Sequence, residues 1–86
     1  MPEISRFFGI VRKMFWDDHN PPHFHAEYGE NKALIDIRSL SPFGGRLPPR
    51  VMGLVIEWAS LHQQELLEDW TRAHAQQALQ RIDPLQ

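Results

Sequence analysis

The feature that most restricts the fold is a change of hydrophobic period at Pro48-Pro49. Before the diproline, apolar residues tend to alternate; after it, they recur at helical spacing. Period two fits one face of a strand and a period near 3.6 fits one stripe of a helix. The chain is therefore expected to be α+β: a small antiparallel sheet of three to four strands followed by one long C-terminal helix, straight or kinked.

The strands follow from local chemistry. Residues from Arg6 to Trp16 are rich in aromatic and β-branched side chains and read as one first strand. It ends at Asp17-Asp18-His19-Asn20-Pro21-Pro22, where two prolines cannot donate to a ladder. From His23 to Tyr28, Phe24, Ala26 and Tyr28 alternate with His23, His25 and Glu27, the pattern of a half-buried strand. Gly29-Glu30-Asn31 reads as a turn, and Ala33, Ile35 and Ile37 mark the next strand. Any fourth strand near Phe43 to Leu47 is short and at an edge, because Pro42, Gly44 and Gly45 punctuate it.

The diproline suits a helix start, since the first amides of a helix have no internal partner. Val51, Leu54, Val55, Trp58, Leu61 and His62 form one stripe, and Met52, Ile56, Ala59, Leu66 and Trp70 a second beside it. So wide an apolar arc implies either a kink near Leu61 to Gln64 or cover from another chain. One helix to Ala75 and a homodimer are expected. Trp16, Trp58 and Trp70 read as core or interface anchors, and His62 as a core histidine with one hydrogen-bond partner. Residues 1–80 are taken as a single domain and 81–86 as a loose C-terminal tail.

Composition excludes several classes. With 86 residues there is room for one core and not two. Cysteine is absent, so disulfides and thiolate metal sites are ruled out, and any metal must be held by His, Asp or Glu. No segment has the charged and apolar regions of a signal peptide or the length of a membrane span, which leads to the expectation of a cytoplasmic protein. A net charge of −2 does not advertise nucleic-acid binding. The charge is uneven: residues 1–50 carry seven Lys/Arg against six Asp/Glu, and residues 51–86 two against five. Arg12, Lys13, Arg38, Arg46 and Arg50 are candidates for a solvated basic sheet face.

The segment from Asp17 to His25 is the one whose composition folding explains least. His23 and His25 lie two apart on a predicted strand, so their side chains leave the same face with Cα atoms about 6.5–7 Å apart. Two imidazoles so placed can meet on one ion. His19, Asp17 and Asp18 stand at the other end of the diproline loop and can fold over to complete the shell. The candidate ligands are His19, His23, His25 and Asp18, for zinc or another divalent transition metal, with Glu27 continuing the His face and His62 available from the helix. Three His, or two His and a carboxylate, with an open position is the ligand set of catalytic zinc or non-haem iron. The competing reading is plain surface histidines beside good turn chemistry, in which short polar side chains bond the backbone.

Four segments, Pro2 to Phe7, Asp18 to Ala26, Leu47 to Arg50 and Glu57 to His62, resemble the small prokaryotic family catalogued as domain of unknown function 4160. The resemblance covers nearly the whole chain and is most specific at His-Asn-Pro-Pro-His-Phe-His-Ala. It brings no activity with it. It implies a neighbour from a second uncharacterised family, domain of unknown function 2442, and so a two-gene, toxin–antitoxin-like module. Two functions are thus carried forward: an interaction protein holding the product of an adjacent gene, and a metal-dependent hydrolase or nuclease built on the histidines. Nucleic-acid binding by a basic sheet face ranks below both.

Overall fold

The computed structural model describes residues 3–85. Five antiparallel strands, β1 (Glu3–Phe7), β2 (Ile10–Lys13), β3 (His23–Tyr28), β4 (Asn31–Asp36) and β5 (Ser41–Gly45), precede two helices, α1 (Pro49–Leu61) and α2 (Gln63–His74). The strands lie side by side in chain order. Pro2 of the first family-like segment and Gln86 of the tail lie outside the described residues.

The sheet is larger than the three to four strands expected, because the aromatic run Arg6–Trp16 is not one strand. Phe8 and Gly9 reverse the chain within it, and Phe7 pairs with Ile10 across a two-residue turn. Both turn residues have positive φ, 51° and 73°, the pattern of a type I′ hairpin. Asn-Gly is the pair that normally announces such a turn, so Phe-Gly hides it. β3 spans the predicted residues. β5 takes the sheet edge, where Pro42 is tolerated.

The single long helix is also corrected. His62, at φ −125° and ψ 25°, leaves the helical region and separates α1 from α2, inside the window Leu61 to Gln64. The break lets both apolar stripes reach one core: Val51, Val55, Trp58 and Ala59 are buried from α1, and Leu66, Trp70 and Ala73 from α2. Gln63 Nε2 holds the corner against the sheet by donating to the carbonyls of Ile37 at 2.8 Å and Arg38 at 3.2 Å. With most of both stripes packed inside one chain and Leu61 the exception left in solvent, the width of the apolar arc no longer by itself argues for a dimer.

On the sheet face under α1, Phe24, Ala26, Ala33, Ile35, Ile10 and Met14 are buried, and the fully buried Trp58 meets Phe24 edge-on at 5.6 Å. Trp70 is buried as expected, whereas Trp16 is largely exposed, its indole donating to the Gln77 carbonyl. Residues 81–85, read from sequence as a loose tail, are held at three points. The Ile82 amide donates to Ile4 O, the Trp58 indole donates to Asp83 O, and Arg81 meets Glu3 at 3.1 Å.

Arg12 does not belong to a solvated basic face. Two residues from Ile10 and two from Met14, it shares their side of the strand and is 0% exposed. Its guanidinium donates to Ile10 O and Ser5 Oγ and lies 3.5 Å from the Phe7 ring centroid and 4.8 Å from that of Trp58. Burial lowers its pKa to about 9.

Candidate metal centre

β3 sends Phe24 and Ala26 into the core and so must send His23 and His25 to the opposite face. The loop from Phe15 to Pro22 returns Asp18 to them. Its carboxylate is fixed locally, Oδ2 accepting the Phe15 amide at 3.2 Å. Asp18 Oδ2 then lies 3.2 Å from His25 Nε2 and 3.7 Å from His23 Nε2. One ligand atom from each of the three residues falls within 4.8 Å of the other two. A tetrahedral zinc with ligand bonds near 2.1 Å sets its donors about 3.4 Å apart, so only a small contraction would close the set on an ion.

The imidazoles are oriented by their surroundings. His23 Nδ1 is 2.7 Å from Pro21 O, and since a carbonyl can only accept, Nδ1 carries the hydrogen and Nε2 is the atom turned to Asp18. A ring nitrogen donating to a backbone carbonyl while the other faces the site is the usual support of a metal-binding histidine. The His23 ring is buried against Trp70 at 5.4 Å and Phe43 at 5.3 Å. That of His25 meets Phe15 edge-on at 4.7 Å.

Of the residues singled out in the sequence, Asp18, His23 and His25 converge. His19 and Asp17 are exposed and outside the group. Glu27 pairs with Lys13 at 3.1 Å. His62, at the helix corner, pairs with Glu65 at 2.6 Å and packs near Trp58; it has the one partner expected but is half-buried and outside the core. The supports that sequence reasoning missed are the Pro21 carbonyl and the rings of Phe15, Phe43 and Trp70. No local pattern flags them, because they come from a loop, an edge strand and a helix that meet only in three dimensions. Beside His25 a shallow groove of about 170 Å³ runs over Lys32, Leu34, Gly44 and Gly45.

Three donors with two ring nitrogens and one carboxylate, partly open to solvent, can hold a divalent transition ion and leave coordination positions free. Without an ion, the same carboxylate can accept from His25 Nε2 at 3.2 Å and pin the loop to β3. Residues 9–71 match a family model described as Domain of unknown function (DUF4160), a span that contains all three residues and runs from β2 into α2. No curated protein and no solved structure matches the chain.

Proposed function

This chain belongs to the family of domain of unknown function 4160, and we propose that it binds one divalent transition-metal ion through Asp18, His23 Nε2 and His25 Nε2. The observation that carries the reading is the Pro21 carbonyl on His23 Nδ1. It commits the far nitrogen to the point where His25 and Asp18 also converge. A bound divalent ion with open positions supplies a Lewis acid and an activated water, the chemistry of a hydrolase or nuclease. The protein's own part is to fix two rings by packing and one carboxylate by a backbone amide. The test is metal content and zinc calorimetry on protein purified without a nickel column. One ion per chain is expected, with uptake lost in Asp18→Asn, His23→Gln and His25→Gln. Equal uptake by the three variants, or none by the parent, refutes the site.

A second reading is that of an interaction component in a two-gene, toxin–antitoxin-like module, acting in the cytoplasm. It draws on the family resemblance and on large apolar side chains left in solvent, Leu61 at 67% exposed and Phe8 at 63%. Co-expression with the product of the adjacent gene tests it: a complex that survives gel filtration supports the module, and separate elution overturns it.

A further inference from the structure

Phe8 is the least economical residue in the fold. It occupies the first position of the β1–β2 turn at φ +51°, a conformation in which an L side chain crowds its own backbone and where Asn or Gly is normally found. Having accepted that strain, it then leaves its ring 63% exposed. It meets the Phe7 ring edge-on at 5.4 Å. Neither the core nor the Asp18, His23 and His25 cluster needs Phe8, and strain without a folding benefit points to use elsewhere.

The ring borders a groove of about 430 Å³ lined by Phe8, Ile10, Tyr28, Arg50, Val51 and Leu54. Five of these six are apolar or aromatic and one is a cation, with no carboxylate among them. Arg50 makes no ion pair among the described residues. The groove therefore offers an apolar slot with an uncompensated positive charge at its rim. The first turn of α1, which contributes Arg50 and Val51, carries no acidic residue and no side-chain cap, so the field there has the same sign.

We infer that this groove docks a segment of a partner protein that presents an aliphatic or aromatic anchor beside a carboxylate. The anchor lies between Phe8, Tyr28 and Leu54, and the carboxylate meets Arg50. Anchors of this kind in desolvated slots carry most of the energy of an interface, with charge at the rim setting which partner is accepted. The inference deepens the interaction reading by naming the surface and the partner's chemistry, and it stands without the metal.

Phe8→Asn separates binding from folding. It places Asn-Gly, the preferred pair, in the turn, so its Tm is expected to rise by about 4–8 °C while binding falls at least about tenfold. Arg50→Glu, on an exposed position, tests the charge independently. The probe is a phage-displayed random peptide library selected on the full chain, with enriched peptides resynthesised for fluorescence anisotropy. Enrichment of peptides pairing Leu, Phe or Trp with Asp or Glu, bound by the parent and lost in both variants, is the expected result. Three outcomes overturn the assignment: no enrichment, basic peptides instead, or peptides bound equally by parent and variants. Self-association of the parent that Phe8→Asn abolishes also overturns it, since the occupant is then a second copy. If the adjacent gene's product binds Phe8→Asn and Arg50→Glu unchanged, the module reading stands and this groove falls. If the library succeeds and that product does not bind, the reverse holds.

Discussion

Replacing Arg12 by Met should leave the protein within about 2 kcal/mol of its original stability, although Arg12 is among the most buried side chains it has. A pKa lowered by burial from the ordinary arginine value to about 9 corresponds to about 5 kcal/mol against the charged form. On the other side stand hydrogen bonds to Ile10 O and Ser5 Oγ, about 1.5–3 kcal/mol each for a charged donor. The rings of Phe7 and Trp58 add about 1–2 kcal/mol of cation–π attraction. The opposing contributions are of similar size, and Met fills the space without a charge, as buried ion sites replaced by apolar side chains often permit. Arg12→Ala, which opens a cavity, should instead lose about 3–5 kcal/mol. In the Met background Ser5 Oγ loses its donor, so adding Ser5→Ala should recover about 1 kcal/mol. Urea denaturation followed by far-UV circular dichroism and tryptophan fluorescence measures all four proteins. A loss above about 4 kcal/mol in Arg12→Met, or further destabilisation by Ser5→Ala, would show that the polar contacts and not desolvation dominate. The pH dependence has a definite sign. Above about pH 9 the unfolded chain still holds a proton on Arg12 that the folded chain gives up, so stability gains with rising pH there. That gain should be the difference between the parent and Arg12→Met curves.

Three other outcomes follow from particular contacts. Gly45→Ala places a Cβ 2.1 Å from the Lys32 carbonyl oxygen at φ +72° and should cost at least about 3 kcal/mol by thermal or urea unfolding. Gly29→Ala, also at positive φ but with nothing within 4 Å, should cost only about 1 kcal/mol. Asp69 is fully buried and accepts from Arg72 Nη1 and the Gln80 amide, both at 2.9 Å. Asp69→Ala should lose about 3–5 kcal/mol and speed hydrogen exchange in residues 76–85. The Glu3 carboxyl is lowered from 4.5 to about 2, chiefly by its hydrogen bond from Arg6, with partial burial opposing and Arg81 assisting. Its contribution is present above about pH 4.5 and lost as pH falls towards 2, so Glu3→Gln should flatten acid unfolding over that window.

Much of the site was legible in the chain because strand alternation is strict. Once Phe24 and Ala26 are inside, His23 and His25 must share the other face, and no tertiary contact is needed to say so. The choice between Asp18 and His19 as the residue folded over them was not legible. These neighbours sit in the same loop, and which side chain returns depends on the Phe15 amide that captures the Asp18 carboxylate. Pattern reading failed in the same way at Phe8-Gly9, where a bulky residue takes a glycine-like conformation and conceals a hairpin.

Taken alone, the amino-acid order determined that strands precede helix, where β3 lies, that a metal site could use no thiolate, and which two imidazoles lie side by side. These properties rest on backbone period and residue type, which act over a few neighbours. Tertiary structure decided that Arg12 is a core cation, that the helix breaks at His62 so that two stripes serve one core, and that the tail docks on β1 and Trp58. Each depends on surfaces brought together from distant positions, whose burial and pairing energies are set by the packed fold and not by any short stretch of chain.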